Sequence, residues 1–199
     1  MANFNNIKKL FSELQMLKRV KHEGVRMTSV PFPDSIAEHS LLTAQIAYVL
    51  AYLEGADPEK TASMAIFHDI AEIRIGDIHK VGARYIDSKK VESKVEADQL
   101  TMLPQELAEK IAALTEEKRS RNTQEGIICQ DADWLEVAIQ AKIYFEAGYR
   151  GCWEWIINVE NALKTDSAKQ ILNLVKNDVN FTASWWHGLM KVEKADEKN

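Results

Sequence analysis

The sequence has 199 residues and a mass of 22.6 kDa, which is the size of one ordinary domain. Its 46% hydrophobic and 28% charged residues, with few glycines and prolines, are typical of a folded, helix-rich protein and exclude collagen-like and disordered classes. The net charge of −5 and the lack of a dense Lys/Arg block argue against nucleic-acid polymers and anionic membranes as partners. An anionic ligand would therefore need a local cation or a metal ion.

The two cysteines, Cys129 and Cys152, lie in separate apolar segments and form no paired framework, so a reduced, cytoplasmic protein is expected. The N-terminus has no apolar leader segment, and no stretch approaches the roughly 18 consecutive apolar residues of a membrane span. We therefore expect neither export nor insertion into a membrane.

Apolar residues recur at helical spacing along most of the chain. Two helices have clear start signals, because Ser35 followed by Glu38 has the spacing of a capping box and Asp57 precedes Pro58 as an N-cap precedes a first helical proline. No run alternates with a period of two and no hairpin signal is present, so the sequence predicts an all-α bundle. The predicted helices span residues 4–20, 35–53, 58–73, 89–102, 104–114, 122–148, 152–176 and 179–191.

Two segments between these helices are expected to be irregular. Residues 25–34 contain Pro31 and Pro33, which disfavour a helix, and residues 76–88 are polar with Gly82 as a break. No linker or internal repeat divides the chain. We expect a single domain over residues 1–199, with a core at about 10–150 and the helices of residues 152–191 packed on it.

His68 and Asp69 interrupt the apolar run of the third predicted helix. Burying an unpaired carboxylate is costly, so Asp69 needs a cation or strong hydrogen-bond donors. A divalent metal ion would satisfy it, with the neutral imidazole of His68 as a neighbouring ligand. A capped or salt-bridged pair at a helix end would explain the same two residues.

Two further polar residues lie within apolar helical patterns. His39 is one turn into the second predicted helix, and Asp133 lies within the long helix predicted over residues 122–148. Asp131 and Asp133 differ by about 200° in helical phase, so only one of them can point inward. Two imidazoles and two carboxylates suit Mn, Co, Fe, Ni or Mg and leave coordination positions for water and a phosphate oxygen.

His39, His68, Asp69 and Asp133 resemble the H…HD…D signature of the HD-domain superfamily of metal-dependent phosphohydrolases. The residues that further resemble its 5′-deoxynucleotidase group lie at positions 17–20, 35–40 and 68–78. The resemblance covers about residues 10–150. It implies an HD-domain helical bundle that binds a divalent metal through these four side chains and removes the 5′-phosphate from (deoxy)nucleoside monophosphates.

The resemblance also implies two catalytic residues. Glu72, one turn after the His-Asp pair, would orient or deprotonate the attacking water, and Asp77 would lie near the leaving-group oxygen and donate its proton. The alternatives are a solvent-exposed helix residue for Glu72 and a turn residue for Asp77. By the same resemblance the last metal ligand is Asp133 rather than Asp131.

The substrate contacts are less clearly marked. The candidate cations for the phosphate group are Arg19, Lys80 and Arg84. The relatives carry an Arg and a Trp after the first helix, where this sequence has His22 and Val25, with Arg26 as a replacement cation. His22 is therefore a further candidate substrate contact. Phosphomonoester hydrolysis is expected more firmly than selectivity for deoxyribonucleotides.

Other functions fit the same residues. One alternative is a related hydrolase of a nucleoside triphosphate, a cyclic nucleotide or an alarmone, and another is a non-catalytic helical domain stabilised by its metal. The resemblance implies a homodimer whose ligand is a small nucleotide. The five tryptophans are expected in the core or at the dimer interface rather than as a stacking platform, since no basic groove accompanies them.

Overall fold

The computed structural model describes residues 2–189, and over that range the chain is helical and contains no β-strand. The predicted all-α class is therefore confirmed. The helices are α1 (Phe4–Leu14), α2 (Glu23–Arg26), α3 (Ile36–Leu53), α4 (Pro58–Phe67), α5 (Glu72–Ile75), α6 (Ser88–Leu100), α7 (Gln105–Ser120), α8 (Gln124–Glu146), α9 (Trp153–Ala162), α10 (Asp166–Asn177) and α11 (Phe181–Ser184). Short 3₁₀ turns cover Gln15–Lys18, Gly82–Arg84 and Arg150–Cys152. None of these helices is both long and apolar enough to cross a lipid bilayer.

The start signals of α3 and α4 act as the sequence predicts. The Ser35 hydroxyl accepts a hydrogen bond from the backbone N–H of Glu38, and the Glu38 carboxylate accepts one from the backbone N–H of Ser35. The Asp57 carboxylate accepts from the backbone N–H of Lys60, and Pro58 is the first residue of α4. Each cap satisfies backbone donors that have no partner within the helix.

Several predicted helix bounds are wrong. The helix predicted over residues 58–73 ends at Phe67, and a turn separates it from α5, so His68 caps the end of α4. The helix predicted over residues 104–114 continues to Ser120 as α7. Val25 and Arg26, in a segment expected to be irregular, belong to the single turn of α2.

The C-terminal part differs most from the prediction. The helix predicted over residues 152–176 is two helices, α9 and α10, because Asp131 binds the backbone N–H groups of Lys164 and Thr165 and holds the chain out of helical geometry there. Of the helix predicted over residues 179–191, only Phe181–Ser184 is helical among the described residues, and positions 190 and 191 lie outside them.

The core forms where α3, α4 and α8 pack against one another, with α9 and α10 covering α8. Small side chains at the contacts let the helices approach closely, as with Ala47 of α3, Ala65 of α4 and Ala132 of α8, all fully buried. Ile156 of α9 and Leu172 of α10 belong to the same buried cluster. The three central helices carry the four predicted metal ligands or end beside them.

Candidate metal centre

Four side chains from α3, the end of α4 and α8 converge beside the core. The Nε2 atom of His39 lies 3.3 Å from Nε2 of His68, 3.7 Å from Oδ2 of Asp69 and 3.4 Å from Oδ1 of Asp133. The Nε2 atom of His68 lies 3.0 Å from Oδ2 of Asp69 and 4.0 Å from Oδ1 of Asp133. The two imidazoles are buried and the two carboxylates are partly exposed, so the group faces a cavity.

The hydrogen bonds of the two imidazoles fix which nitrogen faces the centre. The Nδ1–H of His39 donates to Oε2 of Glu136 at 2.5 Å, and the Nδ1–H of His68 donates to the backbone carbonyl of Ala65 at 2.7 Å. In the neutral imidazoles, the form that binds a metal ion, each Nε2 presents a lone pair toward the other, next to two carboxylate oxygens. Such an arrangement favours a cation between the groups, and the ligand atoms of His39, His68 and Asp69 lie within 4.8 Å of one another, close enough to hold one divalent ion, with Asp133 beside them.

Neighbouring positive charge keeps both carboxyl groups ionised. Burial by itself raises the pKa of Asp69, but without a metal ion the charged forms of the His68 and His39 imidazoles lower it to about 2. Burial acts in the same direction on Asp133, where the ammonium group of Lys118 and the His39 imidazole hold the pKa well below its usual value. The ionised carboxylate is the form that binds a metal ion.

The structure distinguishes Asp133 from Asp131, between which helical phase alone could not decide. Asp131 points away from the cluster, where its Oδ2 accepts hydrogen bonds from the backbone N–H groups of Lys164 and Thr165 at 2.8 and 2.6 Å, and from the Thr165 hydroxyl at 2.8 Å. Asp131 therefore joins α8 to the start of α10, and Asp133 faces the histidines.

Three residues that the sequence analysis did not single out support the cluster. Glu136 holds His39, and Oδ2 of Asp133 accepts hydrogen bonds from Nζ of Lys118 and Nε2 of Gln130, both at 2.9 Å. Gln130 and Glu136 lie three residues on either side of Asp133, so helical spacing could have suggested them. Lys118 comes from α7 and has no signal in its local sequence.

Glu72 and Asp77 both line the cavity. One carboxyl oxygen of Glu72 is buried without a hydrogen-bond partner among the described residues, and burial together with the charges of Asp69 and Asp77 raises the pKa of Glu72 to about 10. The Oδ2 atom of Asp77 accepts hydrogen bonds from the backbone N–H groups of Glu23 and Gly24 at 2.7 and 3.4 Å. Neither side chain is simply a solvent-exposed residue.

The cavity beside the cluster has a volume of about 540 Å³. Its lining includes Lys118 and Arg119 of α7 and the apolar side chains Trp134, Val137 and Trp155 of α8 and α9. Trp134 and Trp155 pack against the core, as the sequence predicts, but they also face the cavity. The cavity therefore combines a metal-ligand end, cations and aromatic surface.

The predicted substrate contacts fall in different places. His22 lines the cavity, forms an ion pair with Asp34 at 3.0 Å and packs its ring against His39, with 4.4 Å between ring centroids. Lys80 also lines the cavity, but Arg19 and Arg84 are exposed and outside its wall. Their contact with a substrate stays a prediction, and Lys118 and Arg119 are cations that the cavity does contain.

The helical architecture and the converging histidine and aspartate side chains define a class of helical proteins built around an adjacent His-Asp pair. The chain belongs to the HD-domain family, whose model, described as HD domain, matches residues 14–177.

Known structures agree with this assignment. A conserved hypothetical protein from Pyrococcus furiosus has 27% sequence identity and a TM-score of 0.72, over 85% of this chain and 99% of that protein. A Magnetospirillum magnetotacticum protein described as a "predicted metal-dependent phosphohydrolase" has a TM-score of 0.70 over 88% of this chain and 92% of its own, and at 20% identity it shows the shared fold alone.

Several curated relatives are named 5′-deoxynucleotidase. A 5′-deoxynucleotidase from Photobacterium profundum is 28% identical over 163 residues, which are 75% of this chain and 84% of the relative. A 5′-deoxynucleotidase from Erwinia tasmaniensis is 30% identical over 109 residues, which are 49% of this chain and 54% of the relative. The alignment thus spans about half the length of the Erwinia protein.

Proposed function

We propose that this protein is a metal-dependent phosphohydrolase that removes the 5′-phosphate from (deoxy)nucleoside monophosphates. The observation that carries the proposal is the convergence of His39, His68, Asp69 and Asp133 at one end of a cavity that also contains Glu72. The name shared by the curated relatives supports the substrate class.

His39, His68, Asp69 and Asp133 would hold a divalent ion such as Mn, Co, Mg, Ni or Fe. A bound ion would supply Lewis-acid chemistry at the phosphate and would favour ionisation of the attacking water. By the resemblance to the family, Glu72 would accept the proton of the attacking water, in the ionised form that the positive charge of a bound ion favours over the protonated form present without it. The unpartnered oxygen of Glu72 is free for this contact.

Asp77 would donate a proton to the departing 5′-oxygen of the nucleoside. Its other contacts support a nucleoside on that side, because Gly24, which donates to Asp77, lies against Trp155. A Cβ atom on Gly24 would be 3.1 Å from Cη2 of Trp155, so the indole packs directly on this backbone. An aromatic face beside the leaving group is suited to stacking with a nucleobase.

A homodimer belongs to the proposal as well, since it rests on the resemblance to the family. The outer face of α3 exposes Leu42, Val49 and Leu53 at helical spacing. These apolar side chains are suited to contact with a second copy of the chain.

The test is phosphate release by metal-stripped protein resupplied separately with Mg, Mn, Co, Ni or Zn. The substrates are paired deoxyribonucleoside and ribonucleoside monophosphates, with di-, tri- and cyclic nucleotides as the comparison. We expect monophosphates to be hydrolysed and Glu72→Gln to lower kcat by about 10²–10⁴-fold with unchanged metal affinity, because it removes the base and no metal ligand. If no metal restores release from any monophosphate, the proposed activity is wrong.

A further inference from the structure

The ammonium group of Lys118 lies in the cavity wall, directly beside the metal-ligand cluster. Its Nζ donates to Oδ2 of Asp133 at 2.9 Å, while the other oxygen of the same carboxylate is 3.4 Å from Nε2 of His39. The Lys118 side chain is 15% exposed, and the residue lines the cavity. One carboxylate group therefore separates the lysine from the face on which the metal ligands converge.

Lys118 has donor capacity that the protein does not use. An ammonium group carries three N–H donors, and among residues 2–189 Asp133 is its only hydrogen-bond acceptor. Two neighbouring cations, Arg119 and Arg121, are engaged elsewhere, while Lys80 and Lys89 also line the cavity but, within the described part of the chain, make no contact with the metal-ligand carboxylates. Arg119 donates to Glu96 at 2.7 Å and to Glu116 at 2.6 Å, and Arg121 stacks over the ring of Trp134 at 5.0 Å.

A phosphate group entering this cavity needs positive charge besides the metal ion. Asp69, Glu72, Asp77 and Glu92 all line the cavity. A phosphate dianion would be repelled by the ionised carboxylates of this wall, Asp69 among them, unless a cation faced it.

We propose that Lys118 binds the phosphate group of the substrate, next to the metal-ligand cluster, with the N–H donors that Asp133 leaves free. This inference rests on the proposed function, since it assigns the phosphate contact of that same reaction. Lys118 then has two tasks, because it orients Asp133 through Oδ2 and neutralises charge on the phosphate group as it is transferred. A charge-assisted hydrogen bond to phosphate is among the stronger polar contacts in proteins.

Gln130 provides a matched control. It donates to the same oxygen of Asp133 at the same distance of 2.9 Å, but it carries no charge. If Lys118 only oriented Asp133, Lys118→Met and Gln130→Met would have the same consequences. If Lys118 also binds phosphate, the two variants should have different affinities for phosphate but the same affinity for the metal ion.

The experiment measures binding of inorganic phosphate by calorimetry to the protein saturated with Mn²⁺, together with the affinity of each variant for Mn²⁺. We expect Lys118→Met to weaken phosphate binding by about tenfold or more, Gln130→Met by less than about threefold, and Lys118→Arg to keep most of the affinity. If Lys118→Met does not fold, Lys118→Gln takes its place.

Phosphate binding in Lys118→Met equal to that of the unaltered protein overturns the inference. An equal loss in Gln130→Met overturns it too, because orientation of Asp133 would then explain the effect. The same protein tested on nucleotides separates this inference from the proposed function. If the protein hydrolyses monophosphates but Lys118→Met binds phosphate no more weakly than Gln130→Met, the role of Lys118 is wrong and the proposed activity stands. If Lys118→Met weakens phosphate binding but the protein hydrolyses no monophosphate, the proposed activity is wrong and the phosphate contact stands.

Discussion

Replacing Glu136 by alanine tests whether the support of His39 determines metal affinity. The Glu136 carboxylate accepts the Nδ1–H of His39 at 2.5 Å, and the two side chains are 3% and 1% exposed. Without it, Nδ1–H is buried without a good acceptor, because the Thr43 hydroxyl lies at 3.4 Å and makes at best a weak hydrogen bond. The ring can then turn or change tautomer, so that Nε2 no longer faces the cluster.

Loss of such a partner lowers metal affinity by about 10–100-fold, or about 1.4–2.8 kcal/mol. Since Thr43 retains part of the interaction, we expect a loss near tenfold for Glu136→Ala. Unfolding free energy of the metal-free protein should fall by about 1–3 kcal/mol, the cost of a buried unsatisfied donor.

The assay is titration of metal-stripped protein with Co²⁺ against a competing chelator, followed by urea unfolding with and without the metal. Glu136→Gln keeps an acceptor oxygen and should lose less affinity than Glu136→Ala. Asp131→Asn changes another buried acid of α8 that faces α10, and it should leave the Co²⁺ affinity unchanged. Wild-type affinity in Glu136→Ala would refute the reasoning.

Three other changes have distinct expected outcomes. Asp131→Ala should lower the free energy of unfolding in urea by about 2–4 kcal/mol, because it removes the three hydrogen bonds of the Asp131 carboxylate. A large loss of metal affinity in this variant would instead show that Asp131 is a metal ligand. Trp155→Ala should raise KM for nucleoside monophosphates about tenfold without changing KM for deoxyribose 5-phosphate, and equal effects on both would indicate a purely structural role. Leu42→Glu with Val49→Glu should convert a dimer into a folded monomer in light scattering, and an unchanged mass would exclude this face.

Elements with local signals were predictable. The starts of α3 and α4 depend on Ser35, Glu38 and Asp57, whose partners lie within three residues. The break between α9 and α10 could not be predicted from the local sequence, because the residue that binds the backbone there, Asp131, is more than thirty positions away. A helical pattern of apolar residues continues through this break, and only a tertiary contact reveals it.

Some residues of the candidate site could likewise be predicted from local sequence, and others could not. The adjacent His68 and Asp69 are conspicuous as polar residues in an apolar run, and the structure brings them together with His39 and Asp133. Lys118 lies in a charged stretch of α7 that resembles any solvated helix face, so sequence reasoning selected other cations. Contacts between distant helices decide which lysine reaches the cavity.

Helix α8 holds Gln130, Asp133 and Glu136 toward the cluster, while Asp131 faces α10 on the other side. Insertion of one residue within this stretch would rotate everything beyond it by about 100° relative to the part before it. Such an insertion would turn Glu136 away from His39 while leaving α8 helical. Length differences among relatives should therefore occur in connecting segments such as residues 76–88, with the spacing from position 130 to position 136 unchanged.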